Sequence, residues 1–243
     1  MNAGLQYFGK DLEAMSFANN YHQWIVDEFR RYLGDTVAEV GAGTGNFSTL
    51  LVAAGIKRLF AFEPSTNMYS LLKDKLRARD NVEIINAFYE EKAIEFENFF
   101  DSVLYVNVLE HIEDDERELQ YAYKTIKPNG RILIFVPALS WLYSELDRKV
   151  GHFRRYHKQE LKETVERAGF SVETLRYFDI AGIIPWYIAF VLLKRTTTEK
   201  NVSLYDTLVV PPMRALEKVI PPPVGKNLLL VGKKPDIARE PAS

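Results

Sequence analysis

The chain of 243 residues contains no cysteine. Thiolates are needed for disulfides, iron–sulfur clusters, cysteine zinc sites and cysteine nucleophiles, so this absence excludes all of these chemistries. The amino-terminal segment also lacks the succession of basic, apolar and small residues that marks a secretory signal. We therefore expect a protein of the reducing cytoplasm.

The sequence also has no apolar run of the roughly 20 residues that span a bilayer. Residues 180–193 come nearest: they carry no charge, but they include Gly182 and Pro185 and are followed at once by Lys194 and Arg195. This stretch predicts a buried element or a lid over a binding site. The alternative is an interfacial patch that touches lipid or a lipid-like acceptor, so peripheral membrane contact stays open.

A large excess of one charge is missing as well, since 31 Lys and Arg stand against 33 Asp and Glu with no dense basic stretch. Phosphate backbones are bound through concentrated Lys and Arg. There is also no Asn/Asp-Pro-Pro-Tyr/Phe sequence to hold an extruded amino base. We expect no nucleic-acid partner. The basic excess after residue 146 favours an anionic small molecule, although a solvated surface explains it equally well.

Short apolar strands alternate with helices along most of the chain. The predicted strands are 37–40, 58–62, 82–85, 100–106, 131–136, 170–177 and 227–231, and the predicted helices are 46–54, 65–79, 114–126 and 158–168. Such alternation is typical of a mostly parallel sheet with helices on both faces. We predict a doubly wound, seven-stranded α/β fold with a carboxy-terminal lid.

The length of the chain favours a single domain over residues 1–243. Within it we expect a helical cap over residues 1–35 and a cofactor-binding core over residues 36–137. Residues 138–232 would form the acceptor site and the last strands, and residues 233–243 a frayed tail.

A glycine-rich turn, Gly41 to Gly45, lies between the first strand and the first helix. Glycine permits positive φ and leaves room for a ligand near the backbone. Asn46 stands where a dinucleotide fingerprint needs its last glycine, which disfavours a nicotinamide cofactor. Glu63 ends the second strand, where a carboxylate can accept both hydroxyls of an adenosine ribose and would repel a phosphate.

Four ordered segments, 37–46, 62–65, 100–112 and 127–131, resemble the motifs of class I S-adenosylmethionine-dependent methyltransferases. The resemblance implies a Rossmann-like sheet, S-adenosylmethionine as cofactor and S-adenosylhomocysteine as product. The positions it assigns to the cofactor are Tyr21, Trp24, Glu39, Gly41, Ala42, Gly43, Glu63, Pro64, Ala87, Phe88, Asn107 and Val108. An acidic residue for the adenine is missing after the third strand, so adenine would rest on Ala87 or Phe88.

The segment 147–156 is dense in ionisable and aromatic residues and resembles a stretch of bacterial small-molecule methyltransferases that are often found beside polysaccharide or secondary-metabolite pathways. Because imidazole titrates near neutral pH, we expect His152 to be the general base or the acceptor-orienting group, with His111 as the second candidate. A purely structural role for His152 is the alternative. The expected acceptor-binding residues are Tyr143, Asp147, Arg155 and Tyr156.

The predicted function is methyl transfer to oxygen or nitrogen of a small, anionic or partly hydrophobic acceptor in a secondary-metabolite, lipid or polysaccharide pathway. A dinucleotide-dependent oxidoreductase and a non-catalytic S-adenosylmethionine-binding protein are the alternatives. Asp147, His152 and His157 have no metal-site spacing, so no metal is expected. The oligomeric state stays open.

Overall fold

Seven strands form one sheet in the computed structural model, which describes residues 18–195 and 199–236. The strand order is β3-β2-β1-β4-β5-β7-β6, and only β7 runs antiparallel to its neighbours. This arrangement confirms the predicted fold class. The strands are β1 (Thr36–Val40), β2 (Arg58–Phe62), β3 (Val82–Ile85), β4 (Phe100–Val106), β5 (Ile126–Pro137), β6 (Ser171–Phe178) and β7 (Asn227–Lys233).

The described helices connect these strands. They are α1 (Asn19–Phe29), α2 (Asn46–Ala53), α3 (Thr66–Leu76), α4 (Tyr89–Lys92), α5 (Asp115–Thr125), α6 (Glu145–Val150), α7 (Lys158–Arg167), α8 (Ile183–Trp186), α9 (Glu199–Leu208) and α10 (Val210–Val219). Single 3-10 turns occupy Arg30–Tyr32, Ala93–Phe96, Leu109–His111 and Ser140–Leu142, and Tyr187–Leu192 forms a π-helix. The first 17 residues of the predicted helical cap lie outside the described residues.

Two apolar layers hold the sheet, because the side chains of its strands point alternately to opposite faces. Tyr105 and Ile134 belong to the cluster on one face, whereas Leu104 and Phe135 belong to the cluster on the other. The central strands are buried on both sides, as a parallel sheet between helices requires. In open sheets of this kind, ligands bind at the carboxyl ends of the strands and the segments that leave them.

The fifth and seventh strands are longer than predicted. β5 begins at Ile126 rather than at 131, because the turn with Gly130 packs directly on β4: a Cβ on Gly130 would lie 2.8 Å from the carbonyl oxygen of Asp101. β7 continues to Lys233, and the buried Lys234 follows it. Residues 233 and 234 therefore belong to the folded body and not to the tail predicted to start at 233.

The apolar segment 180–193 is not a core element. Within it, the helical residues from Ile183 to Leu192 include none that is buried, and Ile184 and Leu192 expose more than 60% of their surface. Its other side lines a cavity, so the segment covers a site as the lid interpretation expects. No helix among the described residues is both long and apolar enough to cross a membrane.

We expect Lys234→Met to destabilise the fold, although it lies beyond the last strand. Lys234 Nζ donates hydrogen bonds to the Asn98 side chain (2.9 Å) and to the carbonyl oxygens of Tyr123 and Ile126 (both 2.8 Å). Leaving these buried acceptors without a donor should lower the free energy of unfolding by about 2 kcal/mol in a urea titration. The neighbouring Lys233→Met is the control, with an expected change below about 0.5 kcal/mol. Equal effects of the two variants would contradict this anchoring role.

Candidate active site

The glycine loop after β1 folds tightly against the end of β2. Gly41, Gly43 and Gly45 all have positive φ, between 57° and 81°. The amides of Gly41 and Ala42 donate to the Phe62 carbonyl oxygen at 2.9 and 3.0 Å. A Cβ on Gly41 would lie 2.5 Å from Val108, whereas a Cβ on Gly43 would have no neighbour within 4 Å. The loop is therefore packed on one side and open at Gly43.

A cavity of about 440 Å³ lies beside this loop. Its lining comes from the loop and the ends of β1 and β4, from the segment around α6, and from the cover formed by α8, the π-helix and α9. The polar or charged residues around it include Glu39, Asn107, Glu110, His111, Asp147, His152, Arg155, Tyr205 and Lys226. The apolar cover includes Pro185, Trp186, Ala189 and Phe190.

Glu39 is a buried carboxylate that lacks a full set of partners. It is 4% exposed, and its Oε2 has no hydrogen-bond partner among the described residues. Burial raises the pKa of Glu39 to about 8. A cationic group in the cavity would supply the missing partner and favour the ionised carboxylate. S-adenosylmethionine carries such groups, an ammonium and a sulfonium, so the residues present fit this cofactor.

Half of the twelve positions that the resemblance assigned to the cofactor line the cavity. They are Tyr21, Glu39, Gly41, Ala42, Gly43 and Asn107. Asn107 directly follows β4 with φ of 53°, a left-handed conformation that asparagine tolerates, and its amide donates to the Phe135 carbonyl oxygen. The Tyr21 hydroxyl donates to Asn227 at 2.9 Å, so this ring borders the cavity with its polar tip already engaged.

The other six positions, Trp24, Glu63, Pro64, Ala87, Phe88 and Val108, are not part of the cavity lining. Glu63 Oε2 accepts the Gly43 amide at 2.8 Å and Oε1 accepts the Ser65 amide at 2.9 Å, so this carboxylate braces the loop. Burial raises the pKa of Glu63, and these two hydrogen bonds oppose that shift. Val108 supports the loop beneath Gly41. Phe88 is 47% exposed.

Trp24 requires a correction, because it does not close over the site. Its ring is 1% exposed and packs 3.9 Å from the Phe178 ring, in the apolar layer beneath the cavity. Tyr21 is three residues earlier on α1 and contacts the same Phe178 edge-to-face. Of these two aromatic residues, Tyr21 lines the cavity and Trp24 does not.

Asp147 organises the opposite group of polar residues. Its Oδ1 accepts hydrogen bonds from His152 Nδ1 and Arg155 Nε, both at 2.9 Å, and its Oδ2 accepts the Ser144 amide and hydroxyl at 2.8 Å. Ser144 starts α6 as its N-cap, which fixes Asp147 in the first turn. Burial alone would raise the pKa of Asp147, but the hydrogen bond from His152 and the charge of Arg155 hold it below its ordinary value.

Glu110 and His111 meet His152 at the same place, on the turn that follows β4. Glu110 is 1% exposed, and neither of its carboxylate oxygens has a hydrogen-bond partner among the described residues. Its Oε1 lies 3.9 Å from His152 Nε2, and the two imidazole rings are 4.5 Å apart, edge to face. Burial raises the pKa of Glu110 to about 7, and burial together with nearby His152 lowers that of His111 to about 4.

The sequence reasoning grouped His152 with Asp147 and His157 and missed Glu110. His157 is not in the cavity lining; its Nε2 contacts the Ser140 hydroxyl at 3.0 Å. A signal for Glu110 was present, because it precedes His111 directly and follows the strand whose end borders the cofactor position. Its burial could not be inferred, since an acidic residue in a turn is exposed by default.

Two of the four expected acceptor-binding residues are structural. The Tyr143 hydroxyl donates to the carbonyl oxygen of His152 at 2.7 Å, and Tyr156 is buried with its hydroxyl bonded to Asp115 at 2.6 Å. Neither lines the cavity, so their prediction as acceptor ligands is corrected to a bracing role. Asp147 and Arg155 do line it, with the Arg155 guanidinium 4.6 Å from the Trp186 ring.

Comparison with known proteins agrees with this geometry. The sequence profile of a methyltransferase domain family matches residues 13–175. An uncharacterized methyltransferase of Oceanobacillus iheyensis is 26% identical over 172 residues, which cover 68% of this chain and 75% of that protein. One of Bacillus mycoides is 26% identical over 134 residues, which cover 54% of this chain and only 59% of that protein.

Solved structures share the fold at lower sequence identity. A SAM-dependent methyltransferase from Archaeoglobus fulgidus superposes with a TM-score of 0.63 at 17% identity, over 92% of this chain and 99% of that one. One from Thermotoga maritima, described as a possible histamine N-methyltransferase, gives 0.62 at 20% identity, over 93% and 96%. Nothing in these comparisons supports the oxidoreductase alternative. The chain belongs to the methyltransferase domain family and has the class I, S-adenosylmethionine-dependent fold.

Proposed function

We propose that this protein transfers a methyl group from S-adenosylmethionine to the oxygen or nitrogen of a small-molecule acceptor, with S-adenosylhomocysteine as the product. One observation carries the proposal: a single cavity is lined both by the open glycine loop with Glu39 and by His152 with its Asp147 partner. Methyl transfer is an in-line displacement, so the chain must hold cofactor and acceptor together in one water-poor space.

On the cofactor side, Glu39 would hold the ammonium group and Gly43 would let the backbone approach the ligand. Glu63 uses one lone pair of each carboxylate oxygen on Gly43 and Ser65, which leaves lone pairs for ribose hydroxyls. The cofactor supplies an activated methyl group on a positively charged sulfur. We still place the adenine against Ala87 and Phe88, which lie outside the cavity lining.

On the acceptor side, we assign His152 as the general base or acceptor-orienting residue and Asp147 as a positioning residue. Because Asp147 engages His152 Nδ1, the Nε2 lone pair stays available toward Glu110 and the cavity. His111 is the second such imidazole. Arg155 and Lys226 line this cavity as partners of Asp147 and Asp179, at 2.8 and 3.1 Å, and Trp186 and Phe190 give it an apolar wall. A polar patch beside an apolar wall favours an acceptor with a hydroxylated or anionic part and an apolar part.

We expect Gly43→Ala to weaken S-adenosylmethionine binding by at least about tenfold in calorimetry, because its Cβ would enter the space proposed for the cofactor. Gly55→Ala is a matched control: Gly55 also has positive φ and open space around its Cβ, but it does not line the cavity. Both variants should lose about 1–2 kcal/mol of stability from the left-handed backbone. Equal cofactor affinity in the two variants would contradict the proposed cradle.

We expect S-adenosylmethionine affinity to rise as the pH increases from 6 to 8. With its pKa near 8, Glu39 is largely protonated in the free protein below that value and must release a proton to hold a cation. Calorimetry in two buffers of different ionisation enthalpy should show proton release at pH 7. In Glu39→Gln, the affinity should be weaker by about 10- to 100-fold, and the pH dependence should be lost. A Glu39→Gln variant with unchanged pH dependence would rule out this role.

We expect His152→Ala to lower methyl transfer by about 10²- to 10⁴-fold while S-adenosylmethionine affinity changes less than about twofold. Turnover is measured as the transfer of labelled methyl groups to compounds in small-molecule extracts. His157→Ala, a histidine outside the cavity, should keep full turnover. Full turnover in His152→Ala would leave His152 a structural role only. Cofactor binding without turnover on any extract would favour a non-catalytic binding protein.

A further inference from the structure

The turn after β4 places a buried carboxylate between two imidazoles. One ligand atom from each of Glu110, His111 and His152 lies within 4.8 Å of the other two. Glu110 is almost fully buried, yet neither carboxylate oxygen has a hydrogen-bond partner in the part of the chain that the structure describes. Burying an unpaired carboxylate is costly, and a cation bound beside Glu110 would supply the missing partner.

Arg155, a permanently charged side chain in the same cavity lining, is committed elsewhere. It directs Nε and a terminal guanidinium nitrogen to Asp147, at 2.9 and 2.8 Å, and another nitrogen to the Ala138 carbonyl oxygen at 3.3 Å. Its charge therefore balances that of Asp147. The Glu110 carboxylate receives no hydrogen bond from Arg155.

His152 is held in the way that metal-binding histidines are held. Its Nδ1 is fixed by the Asp147 carboxylate at 2.9 Å. A histidine that donates one ring N–H to a carboxylate or carbonyl group directs the lone pair of the other nitrogen to the metal. Here Nε2 is that second nitrogen, and it lies 3.9 Å from Glu110 Oε1. The His111 ring packs edge to face on the His152 ring, and its Nδ1 lies on the side of Gly151.

We propose that Glu110, His111 and His152 bind one divalent transition-metal ion, such as Zn²⁺, Co²⁺ or Mn²⁺. Two imidazoles and one carboxylate suit these ions better than Mg²⁺ or Ca²⁺, which prefer oxygen ligands throughout. This donor set replaces the expectation, drawn from sequence spacing, that the protein holds no metal. Sequence spacing gives no signal for such a site, because the proposed ligands come from two segments, with His111 and His152 41 positions apart.

The cation would face the acceptor, since all three ligands line the cavity. A three-ligand site leaves coordination positions open for acceptor oxygens. This step rests on the proposed function. A hydroxyl of the acceptor would bind the ion and release its proton to water; its oxygen would then form the new bond to the methyl carbon as the carbon–sulfur bond breaks and the sulfur becomes a neutral thioether. The inference thus narrows the acceptor to a hydroxylated molecule.

The test measures metal binding directly, apart from activity. Tag-free protein is stripped with chelator, titrated with Co²⁺ and then with Zn²⁺, and followed by calorimetry and by the visible absorption of bound Co²⁺. We expect one ion per chain, and at least 100-fold weaker binding in Glu110→Gln and in the combined Glu110→Gln, His111→Asn, His152→Asn variant. His157→Ala should bind as the unmodified chain does. Circular dichroism checks that each variant is folded.

The outcomes separate this inference from the proposed function. If the stripped, folded protein takes up no ion, or if the triple variant binds as tightly as the unmodified chain, the metal site is refuted, while S-adenosylmethionine binding and turnover can still support methyl transfer. A stoichiometric ion that depends on the three ligands supports the site, even where turnover fails. If turnover is found, we expect it to fall on chelation and to return with Co²⁺ or Zn²⁺.

Discussion

The cavity depends on one constraint, the reversal of winding between β1 and β4. From β1 the sheet continues through β2 to β3, and from β4 it continues through β5 to β7 and β6. The segments that leave the carboxyl ends of these two central strands therefore turn toward opposite faces, and a crevice opens between them. The glycine loop and the turn with Glu110 both border that crevice, and the contact between Gly41 and Val108 holds them side by side.

Three of the buried carboxylates that line this crevice differ in how their charge is compensated. Asp147 has Arg155, His152 and Ser144, so it stays ionised with a lowered pKa. Glu39 and Glu110 have raised pKa values, and both retain oxygens without partners among the described residues. The approach of a positive charge would favour the ionised form of these two groups. Asp147 therefore belongs to the framework, whereas Glu39 and Glu110 are the groups for which we propose ligands, a cationic cofactor for one and a metal ion for the other.

The strands and helices could be predicted from the sequence. Short apolar runs between turn residues are typical of the strands of a parallel sheet that is covered on both faces. β2, β3 and β4 have the predicted boundaries, and the loop at Gly41 lies where its spacing predicts. Side-chain direction in irregular segments was not predictable. Tyr143 and Tyr156 lie within or next to the same polar stretch as His152, yet both hydroxyls turn inward to brace it. Spacing along the chain does not indicate which way these two hydroxyls point, because Tyr143 and Tyr156 lie outside the helices of this region.

The cover contacts the side chains around Asp147 through one ring. Trp186 donates from Nε1 to the Leu142 carbonyl oxygen at 3.1 Å, and its face lies 4.6 Å from the Arg155 guanidinium. Lifting the cover would expose the pair of Arg155 and Asp147 to water, which weakens an ion pair by screening it. Asp147 also orients His152, so the cover packs on the same group of side chains that holds this imidazole. In the proposed function, an acceptor that packs against Trp186 would therefore lie on the ring that shields the Arg155–Asp147 ion pair.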